Sequence, residues 1–92
     1  MIKSFRCRDT ERPAKGQRVR RFIAIERVVQ RKLAQLNAAV TLDFLRAPPG
    51  NRLEALRGDR LGQYSIRISD QWLPCFRYED GNAFDVEIVD YH

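Results

Sequence analysis

The sequence is poor in the residues that build covalent and metal-based sites. Its 92 residues include one histidine, two cysteines and one tryptophan. Cys7 and Cys75 are far apart and have no paired spacing, so they form neither a disulfide framework nor a zinc site. The chain also lacks a glycine-rich phosphate loop and a nucleophile elbow. These absences exclude most nucleotide-binding, zinc-dependent and serine-hydrolase classes.

Long apolar runs are missing as well. No run approaches the ~20 residues of a membrane span, and residues 1–8 lack the apolar stretch of a signal peptide. The hydrophobic content of 43% is nevertheless high enough for a folded core. With its unpaired cysteines, the sequence predicts a reduced, cytoplasmic protein that makes no membrane contact and forms a single domain over residues 1–92.

Positive charge is concentrated in the first third of the chain. Residues 1–32 hold 11 of the 17 basic side chains and three acids, a balance of +8, whereas residues 33–92 have a balance of −3. Such asymmetry on a small domain favours a polyanionic partner, most often nucleic acid. The alternative is a solvated helix face.

The hydrophobic pattern predicts an α+β fold. Apolar residues Phe22, Ile25, Val29, Leu33 and Leu36 follow the spacing of one helical face. The pattern places a strand at the start of the chain, a short helical turn near residues 10–14, and a short helix after Thr41. Four strands follow, over residues 52–56, 63–68, 72–78 and 84–90, as a mostly antiparallel meander with the helices on one face. Pro74 interrupts the third of these strands, which indicates an edge, a bulge or local damage there.

Three sets of residues are candidates for chemistry or binding. The chain ends in Asp90-Tyr91-His92, where an imidazole beside a carboxylate suits proton transfer; the alternative is a frayed polar end. Arginines in the sheet region suit phosphate contacts or, alternatively, cross-strand pairs with Glu54, Asp59, Asp85 and Glu87. These arginines are Arg46, Arg52, Arg57, Arg60, Arg67 and Arg77. The third set is a basic N-terminal stripe suited to backbone phosphates: Arg18, Arg20, Arg21, Arg27, Arg31 and Lys32.

The whole chain resembles the HigB toxins of the RelE/ParE superfamily. The resemblance is carried by the block L-x-x-L-x-G-D-R-x-G-x-[WY]-S-[IV]-R, which runs here from Leu53 to Arg67. Pro48-Pro49-Gly50-Asn51 precedes that block, Asp70-Gln71-Trp72 follows it, and Met1-Ile2-Lys3-Ser4-Phe5 matches the family's opening. The terminal Asp90-Tyr91-His92 completes the pattern and argues against the gyrase-directed ParE branch.

The resemblance implies both a fold and an activity. The implied fold has two N-terminal helices packed on a small curved, mostly antiparallel sheet. The implied activity is metal-free and cofactor-free cleavage of mRNA in the decoding site of the ribosome. The implied partners are the ribosome, mRNA and a HigA-like helix-turn-helix antitoxin, with operator DNA contacted only through the antitoxin.

The resemblance also assigns roles. Cleavage by the ribose 2′-hydroxyl needs a proton acceptor, a proton donor and a cation for the developing charge. His92 is the candidate for proton transfer, Asp90 would orient it, and Tyr91 would stack on or hydrogen-bond the substrate. Arg57 occupies a position that is usually basic near the phosphate, and Arg60 and Arg67 would support it. The basic stripe would rest on ribosomal RNA.

Two departures from the family pattern predict weakened cleavage. The family has W-R and an aliphatic residue where this chain has Trp72-Leu73-Pro74, so a phosphate-binding guanidinium is absent. Losing one preorganised electrostatic contact typically lowers a rate by about 10²–10³. Glu54 stands where some relatives have a histidine. The alternative is a catalytically inactive homologue that binds antitoxin or ribosome and co-regulates transcription.

Overall fold

The computed structural model describes residues 1–90, in which helices pack on one face of a four-stranded sheet. The helices are α1 (Arg8–Ala14), α2 (Glu26–Ala38) and α3 (Leu42–Arg46), and a 3₁₀ segment (Arg20–Ile25) leads directly into α2. The strands are β1 (Glu54–Ala55), β2 (Gln63–Ser65), β3 (Trp72–Glu79) and β4 (Asn82–Asp90), with short 3₁₀ turns at Pro49–Asn51 and Gly58–Arg60. The strands are antiparallel neighbours in chain order. The predicted α+β class is confirmed. None of the helices in this part of the chain has the length and apolarity needed to cross a bilayer.

The chain begins alongside the last strand of the sheet. Ile2 and Phe5 form isolated parallel bridges with Ala83 and Val86 of β4. The amide of Lys3 donates to the carbonyl of Ala83 over 2.8 Å. The predicted first strand is therefore present only as two bridges, and the remaining pairing is antiparallel.

The predicted helical face forms the core. Phe22, Val29, Leu33 and Leu36 are buried against the sheet, and Ile25 is partly buried beside them. The predicted helix begins later than expected, since residues up to Ile25 adopt a 3₁₀ conformation. Aromatic and β-branched residues in that segment have low helix propensity, and Val19 before it provides no side-chain cap.

Strand β1 is shorter than predicted because of the backbone conformation at Arg52. Arg52 has φ 45° and ψ 55°, which lie in the left-handed region and outside the extended conformation of a strand. Pairing with β2 therefore begins only at Glu54, two residues later than the alternating pattern predicts.

Pro74 causes no damage to the sheet. Its register with β4 is continuous, because Leu73, Pro74 and Cys75 face Val89, Ile88 and Glu87 in turn. The carbonyl of Pro74 accepts from the amide of Ile66 over 3.2 Å, so the missing donor also faces the β2 side. Strand β2 ends at Ser65, so the missing donor lies just beyond the end of β2, as expected near a sheet edge. The register of β3 with β4 shifts only after Pro74, between Cys75 and Arg77.

Candidate functional site

One face of the sheet is not covered by the helices and carries polar side chains. The register aligns Glu54, Ser65, Cys75 and Glu87 in a single row across the four strands. Phe76 and Ile88 alternate with that row and point into the core. The row therefore belongs to the face opposite the helices.

A groove of about 190 Å³ opens between β1, the end of β2 and the start of β3. It is lined by Arg52, Glu54, Leu56, Ser65, Arg67, Ser69, Asp70 and Leu73. Leu73 thus gives an apolar wall at the position where the sequence departs from the family pattern. The groove combines two guanidinium groups and two carboxylates with hydroxyl and aliphatic groups. Its guanidinium groups suit phosphate contacts, and its aliphatic groups suit the apolar parts of a ligand.

The end of β4 pairs with the start of β3, which borders the groove. Leu73 pairs with Val89, and Trp72 pairs with Asp90 in the next position of the register. A carboxylate oxygen of Asp90 accepts from Nε2 of Gln71 over 3.2 Å. Side chains alternate along a strand, so Asp90 shares the face of Trp72, whereas Leu73 and Val89 share the face of the groove. Tyr91 and His92, predicted to act with Asp90, lie outside the described residues.

Most of the sheet-region arginines are paired within the fold. Arg60 donates to Glu87 over 3.2 Å and to the side chain of Gln63 over 3.1 Å. Arg67 donates to Asp70, so its guanidinium is held at the rim of the groove. The other two ion pairs are Arg46–Asp43 and Arg77–Asp85.

Two of the six sheet-region arginines have no such partner. The side chains of Arg57 and Arg52 make no hydrogen bond or ion pair with residues 1–90. Arg57 is exposed and borders a shallow depression with Glu54, Ala55 and Leu56, next to the groove. Arg52 lines the groove itself. Both guanidinium groups are thus free to bind an anion from solution.

The basic N-terminal stripe divides into paired and unpaired residues. Arg18 makes two hydrogen bonds to Glu26, of 3.0 and 3.3 Å, and this neighbouring carboxylate raises the pKa of Arg18. Within the described part of the chain, the exposed side chains of Arg20, Arg27 and Arg31 form no hydrogen bond or ion pair. These three are the unpaired cations of that surface.

Arg21 connects the stripe to the C-terminal end of the sheet. Its guanidinium lies 5.1 Å from the ring centre of Trp72 and 4.9 Å from that of Phe22, and it is 3.5 Å from Asp9. Trp72 packs edge-on against Phe22, with 5.2 Å between ring centres. Because Trp72 pairs with Asp90, the basic stripe reaches the strand end that precedes Tyr91 and His92.

Lys32 is separated from the rest of the stripe. It is only 7% exposed, and its ammonium donates to the side-chain oxygen of Asn51. Burial, and secondly the charge of Arg31, lower the pKa of Lys32. Lys32 is therefore held inside the fold, where its ammonium is shielded from an external phosphate.

The sequence analysis gives Arg52 only as one of six candidate arginines and assigns Glu54 no binding role, although both line the groove. No sequence pattern distinguishes Arg52 from the other five arginines. Its position depends on a left-handed backbone conformation that the sequence does not predict. The described residues contain no cluster of three or more His, Cys, Asp or Glu side chains able to hold a metal ion.

Comparison with known proteins gives a consistent result. A family model described as "RelE-like toxin of type II toxin-antitoxin system HigB" matches residues 11–92. The chain is 44% identical over 62 residues to "Toxin HigB-1" of Vibrio cholerae, covering 67% of this chain and 65% of that protein. It is 39% identical over 57 residues to an uncharacterized protein of Haemophilus influenzae, covering 62% of this chain and 56% of that protein. The chain thus spans less than two thirds of the length of these two relatives.

Proposed function

The chain belongs to the HigB family of RelE-like toxins of type II toxin–antitoxin systems, and from that membership we propose that it is a ribosome-dependent mRNA endonuclease. The observation that best supports this proposal is the position of the groove. Its Leu73 wall pairs with Val89, one residue before Asp90, and unpaired arginines lie in or beside the groove and on the N-terminal surface.

The proposed reaction is an internal transfer within RNA. The 2′-oxygen of a ribose attacks the adjacent phosphorus, and the bond from phosphorus to the 5′-oxygen breaks. The 2′-hydroxyl proton passes to a base, and a proton is supplied to the leaving 5′-oxygen. The products are a 2′,3′-cyclic phosphate and a 5′-hydroxyl. No oxidant, cofactor or metal enters this balance.

The side chains have distinct proposed roles in that reaction. His92 transfers protons, Asp90 orients it, and Tyr91 stacks on or hydrogen-bonds the substrate. Arg57 contacts the phosphate because its guanidinium is exposed and has no partner within residues 1–90. Arg60 and Arg67 support the site from fixed positions, held by Glu87 and Asp70.

The N-terminal stripe is proposed to rest on ribosomal RNA. Arg20, Arg27 and Arg31 have no ion pair within the described chain to break, so they bind phosphates most readily. Arg18 and Arg21 add charge but must first rearrange around Glu26 and Asp9. The partner that blocks this activity is proposed to be a HigA-like helix-turn-helix antitoxin. The toxin is proposed to act in the cytoplasm and to contact operator DNA only through that antitoxin.

An inactive homologue that binds antitoxin or ribosome and co-regulates transcription is the second candidate. Leu73 favours it, because an aliphatic wall provides no charge for the transition state. Pro74 adds nothing to this argument, since the register of β3 with β4 is continuous through it.

Primer extension on an mRNA tests the two candidates. The chain is added to the mRNA alone and to the same mRNA in programmed ribosomes, beside His92→Ala and a variant lacking residues 90–92. We expect cuts only with ribosomes, none from either variant, and unchanged sedimentation of the shortened variant with ribosomes. Arg46→Ala is the control, because Arg46 is paired with Asp43 on α3 and does not line the groove. Equal cutting of free mRNA would overturn ribosome dependence, and cutting by His92→Ala would overturn the role of His92.

A further inference from the structure

The groove contains one cation that is not engaged within the fold. Of its two arginines, Arg67 is paired with Asp70, whereas the side chain of Arg52 makes no hydrogen bond or ion pair in residues 1–90. Leu73 lines the same groove and carries no charge. Any phosphate entering the groove therefore has Arg52 as its most available cation.

The backbone of Arg52 is held in an uncommon conformation. Its φ of 45° is in the left-handed region, which a long side chain rarely adopts unless the surroundings impose it. The preceding residue imposes it here. Asn51 is fully buried, donates to the carbonyl of Leu45 over 3.1 Å, and accepts at its backbone oxygen from the amide of Arg67 over 2.6 Å.

Asn51 also ties this turn to α2. Its side-chain oxygen accepts from Lys32, and its side-chain nitrogen donates to Gln35 over 3.2 Å. The backbone from which Arg52 projects is thus anchored to α2, to α3 and to the segment after β2. A cation that projects from an anchored backbone binds a phosphate with less reorganisation than one on a mobile loop.

We propose that Arg52 forms a phosphate-binding subsite in the groove and supplies the positive charge that Leu73 does not. The inference rests on the proposed function and adds a residue to that site. Its ligand is a phosphodiester of single-stranded RNA, bound through the two parallel donors of the guanidinium.

The composition of the groove favours a phosphodiester over a free phosphate. Glu54 lines the groove with no hydrogen bond or ion pair to the described residues, so a dianion is repelled more than a monoanionic phosphodiester. Leu56 and Leu73 provide apolar contact for ribose or base. The hydroxyl oxygen of Ser69 accepts from the amides of Gln71 and Trp72, which leaves its proton to donate into the groove.

A binding experiment tests the subsite without relying on cleavage. The probe is a single-stranded hexaribonucleotide methylated at every 2′-oxygen, which removes the attacking hydroxyl. The Nε–Hε signals of the arginines are followed by NMR during titration. We expect the Arg52 signal to shift, and Arg52→Gly to bind about tenfold more weakly. Inorganic phosphate, as a second titrant, should shift the Arg52 signal less.

Glycine is chosen because it adopts a positive φ without strain, so the variant should fold. Asp80→Gly makes the same backbone change at φ 50°, away from the groove, and should bind as the unmodified chain does. An unshifted Arg52 signal, or equal affinity of Arg52→Gly and the unmodified chain, would overturn the subsite. A stronger response to inorganic phosphate would overturn the phosphodiester assignment.

Cleavage on ribosomes separates this inference from the function on which it rests. Arg52→Gly should lower the rate by about 10²-fold, and adding Leu73→Arg to Arg52→Gly should restore it. Cleavage that is unaffected by Arg52→Gly overturns the subsite and leaves the nuclease proposal standing. Absence of cleavage even by Leu73→Arg overturns the nuclease proposal, while the titration still decides whether Arg52 binds RNA.

Discussion

The buried ammonium of Lys32 donates a hydrogen bond to the side-chain oxygen of Asn51, and this contact joins α2 to the turn that precedes β1. Asn51 is followed by Arg52, and its backbone oxygen accepts from Arg67. Both arginines of the groove are therefore linked to the helical layer through one buried residue, Asn51. The packing of α2 and the geometry of the groove depend on the same contact.

Removing the ammonium should destabilise the fold. Lys32→Met leaves the side-chain oxygen of Asn51 buried without this donor, which typically lowers the free energy of unfolding by about 1–3 kcal/mol. Urea denaturation measures the change. Arg31→Met is the matched control, because its exposed neighbouring side chain should contribute less than about 0.5 kcal/mol. Equal losses of free energy for the two substitutions would show that the Lys32–Asn51 contact does not stabilise the fold.

The same lysine should give the stability a recognisable pH dependence. Burial lowers the pKa of Lys32 below 10.5, so at pH values between the folded and unfolded pKa the unfolded chain binds more protons. The contribution of Lys32 to the free energy of unfolding therefore rises with pH in the range just below 10.5. The difference in the free energy of unfolding between the chain and Lys32→Met isolates the contribution of Lys32 from those of other titrating groups. A difference between them that stays constant or shrinks over that range contradicts the assignment.

The hydroxyl of Thr10 should be essential for docking α1. Thr10 is fully buried, and its oxygen accepts from the amide of Ile88 in β4 over 2.9 Å. Thr10→Val keeps the size but leaves that amide unpaired, which should lower the free energy of unfolding by about 1–3 kcal/mol. Thr10→Ser keeps the hydroxyl and should therefore lower the free energy of unfolding clearly less than Thr10→Val does. If serine is as damaging as valine, the methyl group rather than the hydrogen bond is what matters.

The two thiols should react at very different rates. Cys7 is exposed, whereas Cys75 is buried and its pKa is raised, chiefly by that burial. Because the thiolate is the reactive form, iodoacetamide should label Cys7 well before Cys75 in the folded chain. Peptide mass spectrometry over a time course resolves the two, and labelling in urea should remove the difference. Equal labelling in the folded chain would show that Cys75 is open to solvent.

The parts of the fold that follow from local periodicity were predictable. The spacing of Phe22, Val29, Leu33 and Leu36 predicts the buried helical face, because one face of a helix needs only the local sequence. The effect of Pro74 depends instead on which side of β3 the missing donor faces. That side is set by the register with a distant strand, so the sequence leaves an edge, a bulge and damage equally open.

The site was predictable only in outline. Family resemblance draws attention to Asp90 and Arg57, but the surroundings of Lys32 and Arg52 follow from tertiary contacts. Lys32 has the composition of the basic stripe, yet its partner Asn51 lies beyond α3 in the chain. Charge alone does not distinguish an exposed cation from a buried one, so only the structure separates Lys32 from Arg27 and Arg31.

The most direct measurement is the single-turnover rate at which ribosome-bound mRNA is cut by this chain and by Leu73→Arg. The account predicts ribosome-dependent cutting in both cases, faster by about 10²-fold or more for Leu73→Arg, because the groove then gains a further cation for the transition-state charge. No cutting by either protein, with both folded and bound to ribosomes, would contradict the nuclease proposal and leave the inactive homologue as the function of this chain.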